Sequence, residues 1–123
     1  MEGAQGQRTK PPQLHVSADG KTLSVAFEGG ATYELPAEML RVMSPSAEVQ
    51  GHSPDQRVTV AGKRNVQVAK LEPVGTYAVK IGFDDGHSTG LFTWSYLAEL
   101  GREKDARWAW YLAELDEKGL SRG

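Results

Sequence analysis

Turn pairs containing glycine divide this chain into short segments and set the direction of its strands. Asp19-Gly20, Gly29-Gly30 and Asp85-Gly86 each separate stretches in which apolar and polar residues alternate. Alternation places apolar side chains on one face of a strand, and these pairs favour tight reversals. The pattern predicts an antiparallel meander over residues 14–35 and an antiparallel hairpin over residues 77–92.

Helical signals follow the strands in both halves of the chain. Pro36 is a suitable first residue for a short helix that reaches Met43. Thr93 can cap a helix that Gly101 closes, and a last helix is predicted over about residues 103–118. The apolar face of the last helix has the spacing i, i+3, i+4, i+7 and comprises Trp108, Tyr111, Leu112 and Leu115. Strands mainly precede helices, so we expect an α+β fold with antiparallel strands, a meander plus a hairpin, and two C-terminal helices.

The length and the absence of cysteine limit the class of protein. A chain of 123 residues fits one domain, which we place at residues 13–122 after a flexible lead-in at 1–12. No cysteine means no disulfide and no thiolate metal site, and together with the lack of a signal peptide it fits a cytoplasmic protein. Fourteen basic against sixteen acidic residues do not indicate a dedicated nucleic-acid binder, and no apolar run is long enough for a membrane span.

One stretch matches the nucleophile motif G-x-S-x-G, with Ser88 between Gly86 and Gly90. A working nucleophile requires a strand, a sharp turn and then a helix, and its histidine partner follows it in the chain. Here Ser88 follows a hairpin turn and enters a strand, and no histidine comes after it. The motif is therefore interpreted as a turn, and we expect no enzymatic activity.

Three other features allow two readings each. Asp84, Asp85 and His87 could hold a cation, but Asp-Gly is also the favoured turn pair, and we favour the turn. Residues 57–70 hold four cations and no acid, which is weak support for nucleic-acid binding and typical of a solvated surface. Trp110 lies on the far side of the last helix among glutamates, either as an anchor for a partner or as a lid over a sheet edge.

Several stretches together carry a family resemblance. They are Leu40-Arg41, residues 44–48 (SPSAE), Gly51-His52, residues 62–64 (GKR), residues 71–75 (LEPVG), residues 83–97 (FDDGHSTGLFTWSYL) and the last helix. This sequence resembles the gamma-butyrobetaine hydroxylase-like N-terminal domain family, in its small stand-alone bacterial form, over about residues 13–122.

The resemblance implies a lost metal site. In carnitine-synthesis hydroxylases this domain holds zinc through three cysteines and one histidine. The matching positions here are Ser44, Ser46, Val49 and His87. Two serines and a valine cannot replace three thiolates, so we expect neither zinc nor another cofactor. We expect Ser44 instead to cap a turn that begins at Pro45, with Glu48 in its first turn.

The resemblance also suggests a role. The dioxygenase domain of the hydroxylases is missing here, so their activity is not transferred, while other relatives are fused to Mrp-type P-loop ATPases that carry iron–sulfur clusters. We therefore expect a binding or adaptor domain, accessory to iron–sulfur protein maturation, whose partner is a protein such as a carrier ATPase or its client. The alternative is a small metal- or ligand-binding domain in which His87 acts with Asp84, Asp85 or His52. The predicted partner surface comprises Arg41, Ser44, Glu48, His52, Lys63, Arg64, His87, Trp94 and Trp110.

Overall fold

The structure, a computed structural model, describes residues 10–51 and 54–123. Its strands are β1 (Gln13–Val16), β2 (Thr22–Ala26), β3 (Thr32–Pro36), β4 (Val68–Val74), β5 (Ala78–Phe83) and β6 (Gly90–Thr93). Its α-helices are α1 (Ala37–Val42), α2 (Ala47–Gln50), α3 (Trp94–Arg102) and α4 (Lys104–Glu117), with a 3₁₀ turn at Pro54–Gln56. The predicted α+β class is confirmed. Most of the expected lead-in, including residues 1–9, lies outside the described residues.

The first sheet has the order β1-β2-β3 with antiparallel pairing, so the predicted meander is confirmed. Leu23 pairs with Leu35, and Val25 pairs with Tyr33. Leu23, Val25 and Leu35 are fully buried, because alternation turns the same face of each strand toward the core. Gly20 adopts a left-handed φ of 73° in the first turn, which glycine tolerates best.

The second sheet has the order β4-β5-β6 and contains the predicted hairpin between β5 and β6. β4 passes through Pro73, which pairs with Val79. β4 is an edge strand, where a missing N–H is tolerated. β6 begins at Gly90 rather than Ser88, so Ser88 lies in the loop before the strand.

Two helices, α1 and α3, contribute side chains to the hydrophobic core beside the sheets. α1 is buried on most sides, with Ala37, Met39 and Leu40 fully covered. The predicted cap of α3 is confirmed, because the Thr93 hydroxyl accepts the Tyr96 N–H at 3.1 Å. α3 does not close at Gly101 but runs to Arg102. The glycine serves close packing instead, since a Cβ at Gly101 would overlap the ring of Tyr33.

α4 buries Tyr111 and Leu115 as predicted, whereas Leu112 is exposed, contrary to the predicted apolar face. The buried face of α4 includes Glu114 in place of Leu112, and the Glu114 carboxylate forms an ion pair with Arg57. Leu112 therefore lies outside the contact with the core. None of the helices in residues 10–51 and 54–123 is long and apolar enough to cross a membrane.

The C-terminal residues return to the body of the domain. The N–H groups of Gly62 and Arg64 donate to the carbonyls of Ser121 and Arg122 at 2.9 and 2.8 Å. The Arg122 guanidinium makes two bonds of 2.9 and 2.7 Å to the buried Glu38 carboxylate on α1. A bidentate pair of this kind fixes the chain end against α1.

Candidate functional site

His87 is the centre of a buried polar cluster. It follows the turn after β5, where the Phe83 N–H donates to the His87 carbonyl at 2.8 Å, and only 7% of the residue is exposed. Its Nε2 atom lies 3.0 Å from the Ser44 hydroxyl and 3.3 Å from the Ser46 hydroxyl. Its Nδ1 atom lies 2.9 Å from Glu48 Oε1. The structure thus brings His87 to two serines that are more than forty positions away in the chain.

The segment around α2 presents these serines to His87. The Ser44 hydroxyl accepts the Ser46 N–H at 3.3 Å, and the Gln50 side chain donates to the Ser44 carbonyl at 2.9 Å. α2 begins at Ala47, two residues later than the expected start at Pro45, and Glu48 lies in its first turn as expected. The bond from the Ser46 N–H is the contact expected of Ser44 as a cap, whereas the side chain of Ser46, at the N-cap of α2, makes no capping bond. The Ser44 hydroxyl also contacts His87, which gives the buried imidazole a hydrogen-bond partner.

The four positions that the family resemblance assigns to zinc do not fit a metal ion. Ser44, Ser46 and His87 converge, and Val49 is buried. Two hydroxyls, an isopropyl group and one imidazole lack the thiolates that zinc requires in such a site. Within the described ranges, no three His, Cys, Asp or Glu residues are arranged to hold a metal.

An ion-pair network surrounds Asp85 beside the histidine. Asp85 Oδ2 lies 2.7 Å from Arg41 Nε and 2.6 Å from Lys63 Nζ, and Oδ1 accepts the His87 N–H at 3.0 Å. Burial alone raises the pKa of Asp85, but the hydrogen bonds from Lys63, the His87 backbone and Arg41 lower it to about 2. Asp84 points elsewhere and accepts the Gln67 N–H, so the two aspartates hold the turn through separate partners.

The charge state of His87 follows from its surroundings. Burial lowers the pKa of His87 below its ordinary 6.5, and the nearby Arg41 cation lowers it further, although Glu48 and Asp85 oppose them. The ring is therefore neutral at neutral pH. Because a carboxylate only accepts, Nδ1 donates to Glu48, and Nε2 is left to accept a serine hydroxyl proton.

The order Ser44–His87–Glu48 resembles a nucleophile, base and acid in its contacts. Ser44 is fully buried, however, so its hydroxyl cannot meet a substrate in this structure. Ser88, the serine of the G-x-S-x-G match, is exposed and lies on the loop before β6. The cluster therefore connects the α2 segment to the turn after β5. We call these four residues the clip, namely Ser44, Ser46, Glu48 and His87.

The residues of the predicted partner surface have different exposures. Four are covered or nearly covered and cannot form a contact surface, namely Arg41, Ser44, His87 and Trp94. Trp94 also donates its indole N–H to the Thr76 carbonyl at 2.7 Å. His52 lies outside the described residues. The surface is thus reduced to Glu48, Lys63, Arg64 and Trp110.

A groove beside Trp110 was not predicted from the sequence. It has a volume of about 360 Å³ and is lined by Val42, Met43, Pro45, Gln50, Arg57, Tyr96, Arg107 and Trp110. The Arg57 guanidinium lies 4.6 Å from the centre of the Trp110 ring, and the Tyr96 hydroxyl donates to the Met43 carbonyl at 2.6 Å. The one signal in the sequence was Trp110 itself, a large aromatic residue on the polar side of a helix.

The fold and the cluster define a small α+β domain with a buried histidine that contacts two serine hydroxyls. Residues 14–98 match the sequence model of the family "Gamma-butyrobetaine hydroxylase-like, N-terminal", and the chain belongs to that family. A search of curated proteins found no significant match.

Solved structures show the same fold. One NMR solution structure is 51% identical with a TM-score of 0.78 and covers 93% of this chain and 90% of its own. A second NMR structure is 42% identical with a TM-score of 0.80, and the match covers 96% of this chain and 88% of the other. The third is a crystal structure of a DUF971-family protein of unknown function from Acidithiobacillus ferrooxidans ATCC 23270. It is 37% identical with a TM-score of 0.62, and the match covers 76% of this chain and 94% of the other.

Proposed function

We propose that this protein is a non-enzymatic binding domain that docks onto another protein. The proposal rests on Trp110, which is 55% exposed beside an open groove and is held in place by Arg57. An exposed tryptophan loses little conformational entropy on binding when its ring is already fixed, and such residues are common anchors of interfaces.

The buried histidine cluster supports a structural role for the remaining polar residues. Both ring nitrogens of His87 have partners within the protein, and the serine nearest to it is fully buried. Neither atom is available for a substrate. We therefore assign binding to the surface around Trp110 and not to His87.

The partner class in this proposal comes from the family resemblance. Relatives in which the domain is joined to iron–sulfur carrier ATPases suggest a role accessory to iron–sulfur protein maturation. The partner would then be such a carrier or its client protein. The domain itself would hold no cluster, since the chain has no cysteine.

Photo-crosslinking in cells tests this function. A photoreactive residue replaces Ala109, which is exposed on α4 next to Trp110, and the crosslinked protein is identified and purified. We expect Trp110→Ala to weaken binding of that protein by about tenfold or more, as for an interface anchor. Tyr77→Ala is the matched control, because Tyr77 is 54% exposed but does not line the groove. If no partner is recovered and cluster-dependent enzymes are normal in a deletion strain, the proposal is overturned.

The alternative proposal, a metal- or ligand-binding domain centred on His87, has a direct test. Metal analysis of protein purified without a histidine tag should then show one equivalent of zinc, iron or nickel. A clearly sub-stoichiometric content would remove this alternative.

A further inference from the structure

One short stretch of the chain, residues 43–50, belongs both to the clip and to the groove beside Trp110. Its clip residues contact the buried imidazole of His87, namely Ser44, Ser46 and Glu48. Its groove residues alternate with them or lie beside them in the sequence, namely Met43, Pro45 and Gln50. Residues this close share one short length of backbone, so a displacement of the clip residues also displaces these groove residues.

Hydrogen bonds tie the groove residues of this stretch to the clip and to the neighbouring helix. The Gln50 side-chain amide donates to the Ser44 carbonyl at 2.9 Å, and the Tyr96 hydroxyl donates to the Met43 carbonyl at 2.6 Å. Pro45 lies between the two clip serines, and its fixed φ leaves the backbone little freedom there. The place of Ser44 therefore sets the place of Pro45 and Gln50 in the groove.

The same stretch also contacts the segment that holds the tryptophan. The Val58 N–H donates to the Val49 carbonyl at 2.7 Å, and the neighbouring Arg57 guanidinium lies 4.6 Å from the centre of the Trp110 ring. α2 is only four residues long (Ala47–Gln50), and its N-cap side chain makes no capping bond. A single helical turn is not stable by itself, so the position of α2 depends on contacts such as the clip.

We propose that His87 is a positioning residue for the groove, because the groove keeps its shape only while the hydrogen bonds of the clip are formed. The inference rests on the proposed function, in which the groove beside Trp110 receives the partner. His87 is 7% exposed and acts through residues 43–50 without touching the partner. Closure of the clip and binding at the groove are then coupled, so the bound partner also stabilises the clip.

A matched pair of substitutions at Glu48 tests this coupling without the partner. Glu48 Oε1 lies 2.9 Å from His87 Nδ1, and the Glu48 side chain is 63% exposed, so both variants should fold. Glu48→Ala removes the acceptor, whereas Glu48→Gln removes the charge but keeps a carbonyl oxygen for the ring N–H. The NMR signals of the Gln50 side-chain amide, the Val58 amide and the Trp110 indole should shift in the first variant and stay in place in the second.

His87→Phe is the stronger variant, because it removes both ring nitrogens from the clip and keeps an aromatic ring. It should shift the same three signals further. Val25→Ala is its control, since Val25 is fully buried on β2 and does not line the groove, so its loss lowers stability but leaves these signals in place. Equal shifts in both Glu48 variants, equal shifts with Val25→Ala, or unmoved signals with His87→Phe would each overturn the proposal.

Partner binding separates this inference from the proposed function. His87→Phe should weaken binding of the protein crosslinked beside Trp110 by about fivefold or more, the lower end of typical coupling between sites. Val25→Ala should bind as tightly as the unchanged chain. If His87→Phe also binds as tightly whereas Trp110→Ala does not, the positioning role is wrong and the binding function stands. If no partner is recovered, the proposed function fails, whereas signal shifts confined to Glu48→Ala and His87→Phe would still support the coupling of the clip to the groove.

Discussion

The Nε2 atom of His87 lies 3.0 Å from the Ser44 hydroxyl, although the two residues are 43 positions apart in the chain. This contact joins the α2 segment to the turn after β5. Both residues are buried, so solvent does not replace the bond if one partner is removed. The clip is thus expected to contribute to the stability of the domain.

A double-mutant cycle tests the energy of this contact. Ser44→Ala should lower the free energy of unfolding by about 1–3 kcal/mol, because His87 Nε2 then keeps only the longer contact with Ser46. Ser44→Ala combined with His87→Gln should cost less than the sum of the two, as measured by urea denaturation. Ser88→Ala, at an exposed serine, should change stability by no more than ~0.5 kcal/mol. Strict additivity would show that Ser44 and His87 do not interact.

Stability should depend on pH through two groups of the cluster. The folded-state pKa of His87 is lower than its ordinary 6.5, so the unfolded chain binds this proton more readily than the folded one. The free energy of unfolding should therefore fall as the pH drops below about 6.5, down to the folded-state pKa. A second loss should occur between pH 3.8 and about 2, because the ion-paired Asp85 must then be protonated.

Denaturation curves over a pH series measure both steps. His87→Gln should remove the upper step and keep the lower one. His15→Asn is the control, since His15 is exposed on β1 and should leave both steps unchanged. An upper step that persists in His87→Gln would assign the titration to another group.

The sheets could be predicted from the sequence because their determinants are local. Asp19-Gly20 and Asp85-Gly86 fix turns between neighbours in the chain, and the alternation around Leu23 and Val25 fixes the buried face. Gly101 was misassigned as a helix end, because only its contact with Tyr33 shows that the glycine serves packing.

Local sequence patterns predicted less of the candidate functional site than of the sheets. The positions Ser44, Ser46 and His87 were identified through the family resemblance, since nothing local connects residues so far apart. Neither the pairing of Arg41 and Lys63 with Asp85 nor the groove beside Trp110 was predicted. Both depend on how the two sheets and α4 are placed, which periodicity does not specify.

Cysteines introduced at Ser44, Ser46 and Val49 should convert the clip into a metal site. The hydroxyls of Ser44 and Ser46 both lie within 3.3 Å of His87 Nε2, and Val49 is buried on the same segment. Zinc binds sulfur at ~2.3 Å and imidazole at ~2.0–2.1 Å, so a small shift would admit the ion. The variant with cysteine at all three positions should bind one zinc per chain, measured by metal analysis and by the absorption of a cobalt-substituted sample.

The same triple variant carrying His87→Phe is the control for this prediction. It should bind zinc much more weakly, because only three ligands remain. Equal zinc content with and without the histidine would show that the cysteines bind metal away from the clip.

Gly90 is the first residue of β6, and a side chain at this position would disturb the clip. A Cβ at this position would overlap the Ser44 hydroxyl and lie 3.0 Å from the Phe92 ring. Gly90→Ala should therefore lower the free energy of unfolding by about 1–3 kcal/mol, as overpacking does elsewhere. Gly82→Ala on β5 is the matched control, because its Cβ would have no neighbour closer than 3.5 Å. Adding Ser44→Ala should relieve part of the Gly90→Ala loss, since it removes the overlapping oxygen. Equal losses at the two glycines, or no relief in the double variant, would show that the glycine of the G-x-S-x-G match is not required by the clip.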